Sequence, residues 1–329
     1  MRVLVTGGAG YIGSHVVLAL LEAGQEPVIL DNLSKGHEEA ILGGRFVQAD
    51  LTDGGAVQQI IDRESIEAVI DLAADSLAGE SVTHPGKYFR NNIYGGIVLL
   101  EAMRACHVKY LVFSSTAAVY GEPSQVPIPE DHATVPTNPY GFSKLTMEGM
   151  MRWYDGSHGL RFVALRYFNA AGSEPQGRIG EDHQPESHLI PITLQAALGL
   201  HPALQLYGTD YPTPDGTCIR DYIHVSDLAD AHLLALDALV EGVPSNIYNL
   251  GNGKGYSNRE IIATAEKVTG LTIPVEDAPR RAGDPAVLVA GASRAMAELG
   301  WRPRFTDLET IIATAWRWHK EHPQGYGEG

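Results

Sequence analysis

The sequence predicts a doubly wound parallel α/β sheet followed by a smaller mixed α/β domain. Three observations carry this. Six short apolar runs rich in β-branched residues recur through the first half without strict polar alternation, as in strands covered on both faces. Helical patterns fall between them, the rhythm of parallel crossovers. After Asn169 the rhythm loosens into a connection rich in Gly, Pro and charge, and mixed elements follow.

In chain order, strands are expected at "RVLVT" (2–6), "EPVILD" (26–31), "RFVQAD" (45–50), "EAVIDLAA" (67–74), "YLVFSS" (110–115) and "RFVALRYF" (161–168). The intervening helices are expected over 12–23, 54–64, 87–106 and 140–154. The stretch "AAGSEPQGRIGEDHQPES" (170–187) reads as a long connection, of the length that is functional or disordered in compact domains. Helices near 188–198, 226–240, 258–269 and 307–320 and strands near 204–207, 246–249 and 272–275 complete the chain. A division into residues 1–169 and 170–329 is expected, with some later segments returning to the first sheet.

Composition narrows the partners. Forty acidic against twenty-four basic residues leave a formal charge of −16, which disfavours nucleic acid and anionic membrane as partners. Cys106 and Cys218 match no metal spacing and read as free thiols of a reducing compartment. No apolar run approaches the roughly 18 residues of a membrane span. The start "MRVLVTGGAG" lacks a signal-peptide pattern, so a cytoplasmic protein is expected. No metal is expected either: the thirteen histidines form no HExxH, and His183 and His188, five apart in a loop, read as coincidence.

The first chemical motif follows the first strand. "TGGAGYIG" spaces Gly7, Gly10 and Gly13 as GxxGxxG and opens a helix. Gly7 permits a tight turn, Gly10 lets backbone amides approach a pyrophosphate, and Gly13 allows close helix–sheet packing. Asp31, eighteen residues on at the end of the second strand, is placed to accept from a ribose diol. A carboxylate there repels a 2′-phosphate, so this Rossmann-type unit is expected to bind NAD rather than NADP. Asp50, ending the third strand, is a candidate for the adenine edge. Leu72, Ala73 and Ala74, ending the fourth, are candidates to lie against the cofactor. Ordinary strand ends are the competing reading for both sets.

The second motif is a tyrosine and a lysine four apart in "TNPYGFSKL" (137–145). With fourteen tyrosines and seven lysines such a pair arises about 0.3 times by chance, so its surroundings decide. Pro139 suits the first turn of a helix, which puts Tyr140 and Lys144 on one face. Upstream, "YLVFSSTAAVYG" brings the hydroxyls Ser114, Ser115 and Thr116 to the end of strand five, toward the same crevice. A tyrosine needs about three pKa units, roughly 4 kcal/mol, to act as a base at neutral pH. An ammonium about 6 Å away supplies roughly 2.8 kcal/mol at an effective dielectric of 20. A positively charged nicotinamide ring is the candidate for the remainder.

Together, "TGGAGYIG", "SSTAAVYG" and "YGFSK" resemble the extended short-chain dehydrogenase/reductase superfamily, with its Ser/Thr, Tyr and Lys catalytic set. Within it, "DNLSKG", "AGESV", "LRYFNAAG", "GEDH", "YGTDYPTPDGTCIRDYIHVSDLADAH", "YNLGNG" and "PRRAGDPA" are similar to the UDP-galactose 4-epimerase family over roughly residues 1 to 325. The resemblance implies tightly held NAD, a UDP-hexose substrate, a transient 4-keto sugar and a homodimer. It implies catalysis by Tyr140, Lys144 and Thr116. For the cofactor it implies Gly7, Gly10, Tyr11, Ile12, Gly13, Asp31, Asn32, Ser34, Asp50, Leu51, Leu72, Ala73, Ala74, Asn91, Tyr140, Lys144 and Phe168. For the substrate it implies Thr116, Tyr140, Asn169, His188, Leu189, Tyr207, Arg220, Arg281, Asp284 and Leu288. The competing reading of the two arginines is surface ion pairing, and of Tyr207 a plain core role.

Departures from the family pattern matter. Ser76 stands where some members have a lysine touching the cofactor. Ser187 and His188 replace an Asn-Asn pair. Leu288 stands where an aromatic would exclude N-acetylated sugars, so 4-epimerisation of an N-acetylhexosamine or pentose nucleotide stays open. A 4,6-dehydratase wants carboxylates after the strand-five threonine, and Ala117 and Ala118 stand there. A non-catalytic NAD sensor would not need the complete Thr/Tyr/Lys set.

Overall fold

The computed structural model describes residues 1–281 and 284–327. Its strands are β1 (Arg2–Thr6), β2 (Glu26–Asp31), β3 (Arg45–Gln48), β4 (Ala68–Asp71), β5 (Tyr110–Thr116), β6 (Arg161–Tyr167), β7 (Asn169–Ala171), β8 (Leu204–Tyr207), β9 (Ile219–His224), β10 (Asn246–Leu250), β11 (Gly255–Ser257), β12 (Val275–Ala278) and β13 (Val287–Leu288). Seven of them form one parallel sheet in the order β10-β6-β5-β4-β1-β2-β3. The chain runs outward from β1 in both directions, so a crevice opens at the carboxyl ends between β1 and β4. β9 is flanked by β7, β11 and β13, and β8 pairs with β12.

The runs of full burial in β1, β4 and β5 explain why their sequences do not alternate. One face of the large sheet is covered by helices Tyr11–Glu22 and Val225–Val240, with Val16, Leu20, Leu228 and Leu236 in a single core. The other is covered by helices Gly54–Arg63, Gly95–Ala105 and Pro139–His158, through Val57, Leu99, Met103, Met147 and Met151. A third core joins helices Leu189–Ala197, Asn258–Thr269 and Leu308–Glu321 to β8 and β9.

Three local expectations are corrected. The continuous helix expected over 87–106 is divided into Pro85–Tyr88, a π-helical stretch Phe89–Tyr94, and Gly95–Ala105. The π turn carries Asn92 inward, where its amide donates to Asp75 O at 2.9 Å and Ser143 Oγ at 3.0 Å. The strand expected near 272–275 lies at Val275–Ala278, because its register is set by pairing of Val275 with Leu204. β9, within "IRDYIH", was not expected as a strand. Its charged Asp221 is buried and accepts the backbone N–H groups of Asn252, Gly253 and Ala290 at 2.8–3.0 Å, so a tertiary arrangement overrides an unpromising local sequence.

Candidate active site

The crevice is floored by the glycine loop. Gly7 has φ +67°, and a Cβ on it would meet Ala73 N at 2.8 Å, so β1 and β4 approach here only because the residue is glycine. A Cβ on Gly13 would collide with the Gly7 carbonyl oxygen. Helix Tyr11–Glu22 starts at Gly10 with no side-chain cap, which leaves its first N–H groups for a ligand anion. Gly7, Gly10, Tyr11, Ile12 and Gly13 all line the cleft.

Asp31 closes the adenosine side. Its carboxylate accepts from Ala9 N at 3.0 Å and Leu33 N at 2.9 Å, which aims it across the cleft it lines. Burial raises its pKa and these backbone donors work against that rise. Asn32, Ser34, Leu51, Leu72, Ala73, Ala74, Asn91 and Phe168 line the same cleft. Asp50 is not among the lining residues. It accepts from Asn32 Nδ2 at 2.9 Å and from Thr52, so it orients Asn32 while its neighbours Ala49 and Leu51 face the space. A glycine cradle, an uncapped helix N-terminus and a buried acceptor for a diol are the donor and acceptor set a dinucleotide requires, so the residues present fit NAD.

The other end of the cleft holds the reactive side chains. Asn138 caps helix Pro139–His158 by accepting from Gly141 N at 2.9 Å, and Pro139 occupies its first turn. A Cβ on Gly141 would come within 2.5 Å of Ala118 O, so glycine brings this helix start onto the loop after β5. Tyr140 and Thr116 thereby line the same end of the cleft. Burial raises the Tyr140 pKa and the nearby Thr116 hydroxyl opposes the rise. Lys144, 3% exposed, donates to Ser114 O at 2.7 Å and lies 4.7 Å over the Phe113 ring. Burial lowers its pKa to about 8, against the pull of the Asp71 carboxylate. The lysine is thus oriented by main chain of β5.

A buried network lies below this corner. Ser115 Oγ donates to Glu148 Oε1 at 2.6 Å, and Arg166 grips both oxygens of Glu148 at 2.8 and 2.6 Å. Glu148 is on the helix of Tyr140 and Lys144, while Ser115 and Arg166 are on β5 and β6. The pair is 0–3% exposed and locks that helix in register against the strand that carries Thr116.

The substrate candidates divide. Asn169 and His188 line the cleft, and Asn169 Nδ2 donates to Asp221 O at 3.0 Å. Leu189 opens the helix after His188 and does not line it. Tyr207, Arg220, Arg281, Asp284 and Leu288 lie outside that lining and form their own group. Arg220 is ion-paired with Asp284, and the Arg281 guanidinium sits 4.1 Å over the Tyr207 ring. Leu288 pairs with Arg220 in the β13–β9 register and packs with Phe168 on a core of Val119, Tyr120 and Ile128.

One expectation is overturned here. His183 and His188 are not a coincidence of spacing: their rings are 5.3 Å apart, and both meet the buried carboxylates of Glu181 and Glu186. Burial acts to lower both histidine pKa values, yet the two carboxylates push them up to about 9 and about 10. Ser114 lines the cleft as expected of the strand-five hydroxyls, whereas Lys35, Glu80, Tyr167, Glu181 and His183 were not expected as cleft residues. Lys35 had a signal, in "DNLSKG"; Glu181 and His183 fold back from a connection with no periodicity to betray it.

Comparison with known proteins agrees with this geometry. The model of the NAD-dependent epimerase/dehydratase family matches residues 3–251. The UDP-glucose 4-epimerase of Halalkalibacterium halodurans is 55% identical, over 99% of this chain and 98% of its own. That of Lacticaseibacillus casei is 54% identical, over 100% and 99%. The crystal structure of UDP-glucose 4-epimerase from Brucella ovis in complex with NAD superposes with a TM-score of 0.94 at 48% identity, covering 96% of this chain and 97% of that one.

Proposed function

The chain belongs to the NAD-dependent epimerase/dehydratase family, and from that premise we propose that it interconverts UDP-glucose and UDP-galactose by inverting C4 of the hexose. The observation that carries this reading is a convergence. Thr116, Tyr140 and Lys144 meet at one end of the cleft that the Gly7–Gly13 loop floors, and no carboxylate follows Thr116. NAD, when bound, supplies a reversible hydride acceptor for the carbinol carbon.

Tyr140 takes the proton of the sugar 4-hydroxyl at its phenolic oxygen and returns it once the 4-keto sugar has turned its other face. Thr116 holds the same sugar oxygen and relays the proton, since it lines the cleft beside Tyr140. Lys144, buried and fixed on Ser114 O, keeps a positive charge beside the forming phenolate and holds the nicotinamide ribose. Ala117 and Ala118 leave no acid to drive water from the sugar, which separates epimerisation from dehydration. Arg220 and Arg281 grip the diphosphate and Tyr207 lies beside the uracil, so the hexose alone is free to turn.

The reading includes a homodimer in the cytoplasm. Phe89, Tyr94, Ile97, Phe142 and Trp153 are exposed on the neighbouring segments Phe89–Tyr94, Gly95–Ala105 and Pro139–His158, an apolar surface of the kind that pairs with a second copy. Cys106 and Cys218 are free thiols, which suits a reducing compartment. Among the described residues no helix is long and apolar enough to cross a membrane.

The test incubates the protein with UDP-galactose and, separately, UDP-N-acetylgalactosamine without added reductant, and resolves the nucleotide sugars by chromatography. UDP-glucose is expected from the first with no net NADH absorbance. No C4 interconversion of any UDP-hexose or UDP-pentose would sink the reading.

A further inference from the structure

The connection between β7 and helix Leu189–Ala197 folds Glu181, His183, Glu186 and His188 into one cluster, with one ligand atom from each inside a common 4.8 Å. The spacing matches a metal polyhedron. Four bonds of about 2.0–2.1 Å in a tetrahedron put neighbouring ligand atoms about 3.3 Å apart. His183 Nδ1 stands 3.3 Å from Glu181 Oε1 and 3.6 Å from Glu186 Oε2. A further edge, His188 Nδ1 to Glu181 Oε1, is a 2.6 Å hydrogen bond that an ion between them would replace.

Two of these atoms lack another occupation. His183 Nδ1 and Glu186 Oε2 are buried without a hydrogen-bond partner, and the Glu186 side chain is only 5% exposed. The second oxygen, Glu186 Oε1, accepts from Ser187 N at 2.6 Å and His188 N at 2.8 Å, which aims the free one into the cluster. Ligation takes neutral imidazoles, so a bound ion displaces any imidazole protons, and one divalent cation then balances the two buried carboxylates. Imidazole nitrogens favour a zinc-class ion over calcium or magnesium, which prefer all-oxygen sets.

We propose that Glu181, His183, Glu186 and His188 form a structural binding site for a zinc-class divalent cation. Four protein ligands close the coordination sphere, so the ion cross-links the chain and performs no chemistry. Glu181, His183 and His188 also line the cleft, and the same segment is tied from outside by Lys35 Nζ donating to Gln184 O at 2.5 Å and Tyr326 N donating to Asp182 Oδ2 at 3.0 Å. The ion therefore adds a cross-link to a wall of the cleft.

The experiment needs no substrate, so it stands or fails independently of the epimerase reading. Full-length protein is stripped with a chelator, dialysed and titrated with ZnCl2 by calorimetry, with CoCl2 in parallel to read the visible bands of tetrahedral cobalt. The expected result is one ion per chain with a tetrahedral spectrum. The expected loss in affinity is at least about 100-fold in His183→Ala and in Glu186→Gln. Glu186→Gln keeps side-chain size, and circular dichroism checks that each variant is folded. No stoichiometric uptake by the parent, affinity retained in a folded Glu186→Gln, or CaCl2 binding as tightly as ZnCl2 would each overturn the proposal.

Discussion

The corner around Thr116, Tyr140 and Lys144 and the group around Tyr207, Arg220 and Arg281 both carry reactive side chains, yet they are held in opposite ways. In the first, main chain and a buried ion pair do the holding. Lys144 is pinned to Ser114 O, Thr116 accepts from Ala118 N at 3.1 Å, and Glu148 ties the helix to Ser115 and Arg166. In the second, side chains hold one another: Arg220 takes Asp284, Arg281 covers Tyr207, and Arg280 pairs with Asp210 and lies 4.2 Å over Tyr211. Such partners can be exchanged for phosphate oxygens at little cost, since partly exposed pairs are worth about 0–1 kcal/mol. Proton transfer needs a fixed geometry, whereas a grip on a nucleotide tolerates rearrangement.

Four experiments break or sharpen this contrast. Tyr140→Phe removes the proposed base while keeping the ring, and turnover of UDP-galactose should fall about 10²–10⁴-fold while NAD stays bound. Steady-state assay beside the absorbance of retained cofactor checks it, and near-normal turnover would remove Tyr140 from the chemistry.

Glu148→Gln should cost about 3–5 kcal/mol in denaturant unfolding, because it strands the Arg166 charge in the interior. The matching change in the second group, Asp284→Asn, should stay within about 1 kcal/mol. Equal losses at the two positions would erase the distinction.

Arg220→Lys should raise KM for the UDP-sugar about tenfold with a smaller effect on kcat, because an ammonium cannot reproduce the bidentate fork. A fall in kcat alone would place Arg220 with the chemistry instead of the grip.

The smallest effect is a pH dependence. Lys144 titrates at about 8 in the folded chain against 10.5 for an unperturbed lysine. The unfolded chain therefore binds more protons across that window, and the stability contributed at Lys144 rises as pH increases from about 8 to 10.5. The difference in melting temperature between the parent and Lys144→Met should shift in the parent's favour over the same range. A flat difference would show that the ammonium is not desolvated.

Much of the first corner was legible because its residues are local in sequence. Tyr140 and Lys144 share a helix face, Pro139 announces the helix, and Thr116 ends a strand built on the apolar run Leu111, Val112 and Phe113. The glycine loop was legible for the same reason, since Gly7, Gly10 and Gly13 each answer a steric demand within a few residues. The second group was placed by family resemblance, as nothing local connects Tyr207 with Arg281 across seventy-four positions. The π turn at Phe89–Tyr94 escaped because its cause, the inward hydrogen bonds of Asn92, comes from Asp75 and Ser143 on other elements.

By itself the sequence determined the parallel sheet, the dinucleotide cradle and the Thr/Tyr/Lys set, because each rests on backbone sterics or on a spacing of a few residues. Only the tertiary structure decided what β9 is, that Asp50 serves Asn32 and not the cleft directly, and that Glu181, His183, Glu186 and His188 meet. These depend on where a non-periodic connection folds back. That path is set by burial against distant partners such as Tyr326, which donates to the Gly180 carbonyl at 3.2 Å, and not by any preference its own residues carry.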